Sequence, residues 1–155
     1  MMTKQQAADA VRAAKAALGL AWAQLAEAVG APVPWTVSAL LGQQPMTPQQ
    51  ATAVITALML DEAPREYRDD LRAALQAQPT RGALDTPVPT DPTIYRFYEI
   101  VQVYGPTIKE LIHEEFGDGI MSAIDFSMSL EREAHPAGDR VHITMSGKFL
   151  PYKEY

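Results

Sequence analysis

Arg96 and Glu99 stand three residues apart in the segment Thr93-Ile94-Tyr95-Arg96-Phe97-Tyr98-Glu99-Ile100-Val101-Gln102-Val103-Tyr104. On a helix that spacing places Thr93, Arg96, Glu99 and Gln102 along one stripe. Every other position in the segment is aromatic or aliphatic. A guanidinium is always charged and presents a planar fork of donors, which suits a small carboxylate-like anion. The plain alternative is an ordinary ion pair, worth roughly a few tenths of a kcal/mol when exposed. A helix apolar around most of its circumference should be buried on several sides. In a chain this small, that means burial against other subunits, with Arg96 and Glu99 partly desolvated. A buried ion pair is seldom net stabilising, so such a pair in such a helix points to an anion site.

Ser122 follows Gly117-Asp118-Gly119 at the entry to a strand-like stretch. The local run Gly119-Ile120-Met121-Ser122-Ala123 is no nucleophile elbow, because that turn needs Gly-x-Ser-x-Gly. His113, His135 and His142 share no ligand spacing, so they read as structural or surface residues and no metal is expected. Gly117-Asp118-Gly119 follows a helix and is too short for a phosphate loop. Glu110, Glu114 and Glu115 read as a solvated helix face. Cysteine is absent altogether, which excludes disulfides, thiol catalysis, Cys-ligated zinc and iron–sulfur clusters.

The elements that must carry these side chains follow from the pattern of apolar residues. Residues 4 to 76 read as short helices. Ala7, Val11, Ala14 and Leu18 recur at helical spacing, as do Trp22, Leu25, Ala26 and Val29, with Gly30 placed to end that helix. A short helix is expected over Pro34 to Leu41. Thr47, Pro48 and Gln50 form a start signal of N-cap, first-turn proline and capping-box glutamine, with Ala51, Val54, Ile55 and Leu58 as the buried face. A further helix holds Tyr67, Leu71 and Leu75. Pro79, Gly82, Pro87 and Pro89 break the chain into a linker. Asp91 and Pro92 restart a helix. Gly105 and Pro106 are expected to interrupt it, with a second helix over Thr107 to Phe116. From Ile120 to Glu133 and Arg140 to Leu150 the period becomes two, joined through His135-Pro136-Ala137-Gly138 as a hairpin. The chain is therefore expected to be α+β, with a helical bundle over residues 1–78, a linker over 79–90 and a helix-plus-hairpin domain over 91–155.

Trp22 to Leu41 resembles the helix-turn-helix of repressor-type domains. Charge opposes DNA binding, because no Lys or Arg occurs between Ala16 and Pro64 and the would-be recognition helix offers only Thr36 and Ser38. The 155 residues are 47% hydrophobic and 21% charged, with net charge −6. Together with a pI near 5.0, this argues against nucleic-acid or anionic-membrane binding. The longest apolar run in the N-terminal half, Ala51 to Leu60, is half of the roughly 20 residues a membrane span needs. Lys4, Arg12 and Lys15 precede the apolar stretch Ala16 to Ala23, but Gln24 and Glu27 follow at once, so an amphipathic helix of a cytoplasmic protein is expected, not a signal peptide.

From Asp91 onward the chain strongly resembles the cyanases, also called cyanate hydratases. The residues that carry the likeness are Asp91-Pro92-Thr93-Ile94-Tyr95-Arg96-Phe97-Tyr98-Glu99, Gln102-Val103-Tyr104-Gly105, Glu115 to Phe126, and Gly147-Lys148-Phe149-Leu150-Pro151. The N-terminal helices fit the family's repressor-like domain. The resemblance implies bicarbonate-dependent decomposition of cyanate to carbon dioxide and carbamate, which then gives ammonia and a second carbon dioxide. It implies Arg96, Glu99 and Ser122 as catalytic residues, bicarbonate as co-substrate and no metal or organic cofactor. It further implies a homodecamer of five dimers, with dimerising C-terminal segments and sites between subunits. Ser122 Oγ–H and nearby backbone N–H groups are expected to bind an anion oxygen. The competing readings are a helix-turn-helix-like regulator and an oligomeric small-anion-binding protein without catalysis.

Overall fold

The computed structural model describes residues 1–79 and 88–153. These hold six helices, α1 (Lys4–Ala17), α2 (Trp22–Val29), α3 (Val33–Leu40), α4 (Pro48–Ala57), α5 (Arg65–Gln76) and α6 (Pro92–Phe116). A two-stranded sheet of β1 (Gly119–Glu133) and β2 (Arg140–Pro151) completes them. The architecture is α+β, as the sequence implies. Contacts divide the chain into two compact units. The first holds α1 to α5 and the far part of the hairpin, Ser129–Val141; the second holds α6 and the base of the hairpin, up to Met128 and from His142.

Local chemistry sets the helix ends in the bundle. Thr47 Oγ1 accepts from the Gln50 amide at 3.2 Å while Gln50 Oε1 accepts from the Thr47 amide at 2.9 Å, the reciprocal box expected there. Thr3 and Gln6 build the same box at the start of α1. Gly30 closes α2 with φ of 71°, a left-handed conformation that costs glycine little. The third helix starts one residue earlier than expected, at Val33, with Pro32 before it. The faces read from spacing meet in one core. Val11, Leu25, Leu40, Val54, Ile55, Leu58, Leu71 and Leu75 are all buried there, with Trp22, Trp35 and Tyr67 packed around them.

The other half is built differently. Asp91 caps α6 by accepting from the amides of Thr93 (2.9 Å) and Ile94 (3.0 Å). The expected interruption at Gly105-Pro106 does not occur; α6 runs unbroken for 25 residues with Pro106 inside it. Proline forfeits one backbone hydrogen bond. The residue before a proline is pushed out of the helical region partly by its own Cβ. Gly105 has none, and the chain continues as helix. Gly117 ends α6 at φ 88°, its amide bonded to the His113 carbonyl, and Gly119 begins β1 two residues on. At the far end Gly138, φ 114°, donates to the His135 carbonyl at 2.9 Å and turns the chain into β2. The linker expected over 79–90 lies for its larger part, 80–87, outside the described residues.

The second unit has almost no core of its own. No residue of α6 is buried. Val101, Val103, Leu111 and Phe116 stand 60–67% exposed, and in the hairpin Ile124 is 99% exposed and Met145 58%. Phe116 touches Phe149 at 5.3 Å between ring centroids, one apolar contact joining helix and sheet. The alternation that makes β1 a strand supplies an apolar row, Ile124, Phe126 and Met128, that this chain leaves uncovered.

Candidate active site

Arg96 and Glu99 project from adjacent turns of α6, and Arg96 Nε lies 3.0 Å from Glu99 Oε2. In the single chain the side chains are 73% and 43% exposed, so the pair is set in water and not in the dry place expected for it. Its surroundings are nonetheless apolar. Tyr95 and Tyr98 stack one turn apart at 6.4 Å, nearly parallel, beside Phe97, Ile100 and Val101. The ion pair with Glu99 engages the Nε side of the Arg96 fork, and the terminal nitrogens are the remaining donors toward a ligand.

Ser122 is the opposite case, a residue only 5% exposed. Its Oγ accepts from two consecutive backbone amides, Ile124 N at 3.1 Å and Asp125 N at 2.9 Å. In regular extended chain successive amides point to opposite edges, so one oxygen cannot take both. The strand is therefore folded locally at Ser122–Asp125, as in a β-bulge. The strand lengths agree, 15 residues in β1 against 12 in β2. A hydroxyl has two acceptor sites and one proton to donate. Both acceptor sites of Ser122 are filled, and what remains is the proton. The amides of Ile124 and Asp125 are thus aimed at the hydroxyl itself. The expectation that nearby backbone N–H groups join Ser122 in holding an anion is revised for these two. Sequence reading missed this arrangement, because no residue-type pattern marks a backbone amide.

The structure brings Arg96 and Glu99 together and leaves Ser122 apart from them. Among the described residues no hydrogen bond or ion pair links Ser122 to either. The histidines sit elsewhere. His113 contacts Asp118 at 3.7 Å and Lys109 at 3.4 Å. His135 lies in the hairpin turn against Ala137 N and Arg140. Among the described residues no group of three or more His, Asp or Glu is placed to hold a metal ion, and no helix is long and apolar enough to cross a membrane. A shallow hollow in the bundle, lined by Ala28, Pro48, Gln49, Thr52, Ala53 and Thr56, offers no titratable side chain.

Comparison with known proteins decides the family. The family model "Cyanate lyase C-terminal domain" matches residues 86–154, and "Cyanate hydratase, N-terminal" matches residues 4–68. A cyanate hydratase of Mycolicibacterium vanbaalenii is 56% identical over 151 residues, 97% of this chain and 94% of that protein. One of Dechloromonas aromatica is 56% identical over 154 residues, 99% of this chain and all of that protein. This chain belongs to the cyanate hydratase family. A crystal structure of cyanase from T. urticae agrees in fold, with TM-score 0.74 and 36% identity, covering 94% of this chain and 96% of that one. Membership spans both halves, so the repressor-like bundle is part of a cyanate hydratase architecture. The regulator reading drawn from that bundle is not favoured.

Proposed function

We propose that this chain is a cyanase, decomposing cyanate with bicarbonate, and that Arg96, Glu99 and Ser122 carry the reaction. The observation that carries the reading is family membership over nearly the whole chain. Bicarbonate oxygen adds to the electrophilic carbon of cyanate. The adduct takes up a proton on nitrogen and loses carbon dioxide, leaving carbamate. Carbamate and one further proton give ammonia and a second carbon dioxide.

Physical chemistry supports these roles. Both substrates are anions and must meet. Arg96 is the only basic residue between Pro92 and Tyr104, and it offsets their repulsion. Glu99 anchors the guanidinium through Nε and sets the charge balance. Ser122 donates its hydroxyl proton to an anion oxygen. With its lone pairs engaged by two amides, Ser122 is no nucleophile, and no covalent enzyme intermediate is assigned. The protein acts by holding the reactants together, where well-oriented groups reach effective concentrations on the order of 10⁵ M or more.

The working form is a homodecamer of five dimers in the cytoplasm, with sites between subunits and bicarbonate as co-substrate in place of any metal or organic cofactor. The many large apolar side chains that α6 and the hairpin leave exposed support assembly, since apolar residues gathered on exposed elements mark interaction surfaces. In this arrangement residues 1–78 serve as a packing bundle and 91–155 as the catalytic and oligomerising part. The test is ammonia release from cyanate by the purified protein, with and without added bicarbonate. Release that depends on bicarbonate is expected. No release from an assembled oligomer would refute the activity and return Arg96–Glu99 to an interface ion pair.

A further inference from the structure

Gly147 stands across from Ser122 on β2. Its φ is not positive, so glycine is not demanded there by backbone conformation. It is demanded by space. A Cβ at position 147 would run into the carbonyl oxygen of Ser122 and would come within 2.6 Å of Met121 Cγ and 3.4 Å of Met121 Sδ. The methionine can swing aside. The carbonyl oxygen cannot move without its own residue, and that residue carries the hydroxyl. The same close approach recurs three residues away, where a Cβ on Gly119 would meet the Leu150 carbonyl oxygen and the Phe149 ring, each at 2.5 Å. The strands thus close on each other at two points, Gly119 and Ser122 itself, and the folded stretch Ser122–Asp125 begins at the second.

From this geometry we infer that Gly147 is a positioning residue for Ser122. By letting β2 pack onto the Ser122 peptide, it holds the hydroxyl under the amides of Ile124 and Asp125, so that its one proton points outward to the anion. The inference rests on the proposed role of Ser122 as an anion donor. A side chain at 147 must displace the Ser122 peptide, and a misplacement of about 1 Å in a reacting constellation can cost about 10²-fold in rate.

The experiment is a double-mutant cycle in the full chain, reading kcat and KM for cyanate and for bicarbonate, with assembly followed by sedimentation velocity. Ser122→Ala is expected to lower kcat/KM by about 10 to 10³-fold. Gly147→Ala is expected to cost at least about tenfold in the parent and no more than about twofold in the Ser122→Ala background, because the two changes remove one function. Hydrogen exchange supplies a readout apart from turnover. Both variants should speed exchange in a peptide covering 123–126, whose two amides lose their acceptor. Full additivity, or parent-like kinetics with unchanged exchange in Gly147→Ala, would overturn the inference. If Gly147→Ala does not assemble, the Met121→Ala/Gly147→Ala chain, relieved of the side-chain collision, is carried through the same cycle. Failure of that chain to assemble makes Gly147 a folding residue and overturns the positioning role. The reading beneath fails separately: it falls if the parent releases no ammonia, or if Ser122→Ala alone matches the parent.

Discussion

Replacing Arg96 by alanine removes the one positive charge in the first half of α6, and the size of the loss reports where that charge works. Two unit charges 4 Å apart repel by about 1 kcal/mol in water and by about 4 kcal/mol at an effective dielectric of 20. Each 1.36 kcal/mol on a barrier is tenfold in rate. If Arg96 acted in the open, as its 73% exposure in the single chain would have it, its loss would cost about fivefold. If the neighbouring subunits of an assembled oligomer cover it, the cost rises to about 10³-fold. The larger figure is expected, because the apolar residues around Arg96 are uncovered in one chain and call for a partner. Arg96→Lys keeps the charge but loses the planar fork and the 3.0 Å contact to Glu99, and should fall between the two. The assay is initial-rate ammonia release at saturating bicarbonate, with sedimentation velocity on the same samples. An assembled Arg96→Ala protein within about fivefold of the parent would refute the reasoning, since a dry two-anion site could not lose this cation so cheaply.

Two further outcomes are expected. Dilution until sedimentation shows single chains should abolish turnover, and return to higher concentration should restore it; a fully active single chain would contradict sites shared between subunits. Burial lowers the pKa of Lys4, whose ammonium donates to the carbonyls of Leu75 (3.4 Å) and Gln44 (3.5 Å). A lysine depressed in the folded state binds its proton more tightly when unfolded, so stability should rise as pH climbs through the window just below 10.5, its ordinary value. Lys4→Met should flatten that alkaline rise in a thermal-melt series, and an unchanged pH profile would count against the burial.

The parts of the fold governed by neighbouring residues were legible from the chain. The Thr47-Pro48-Gln50 start, the Gly30 stop and the Asp91-Pro92 restart are contacts within three or four residues, and each lies where spacing put it. The strands differ from expectation by one residue at an end. The break expected at Gly105-Pro106 is absent because the residue before the proline has no Cβ to clash with its ring. At the candidate site, Arg96 and Glu99 were legible because their pairing is a matter of helical period. The donors to Ser122 are main-chain amides, and the need for glycine at 147 comes from a strand some 25 residues away; neither leaves a local mark in residue type. The apolar stripe of α6 predicts burial, and in this chain no residue of α6 is buried.

The contrast between the two units bears on how the protein is made in a cell. The bundle has a buried core and the ingredients to fold alone. The helix and hairpin do not: a two-stranded sheet by itself is marginal in water, and here both of its edges are open and its apolar rows bare. Under the proposed assembly, a newly synthesised chain passes through an interval with a finished bundle and an unfinished, adhesive helix and hairpin until it meets other copies. In that proposed assembly its thermodynamic stability depends on protomer concentration. Substitutions along the outer face of α6 or the hairpin would first appear as less protein, through aggregation and proteolysis of unassembled chains, before any fault in chemistry could be measured.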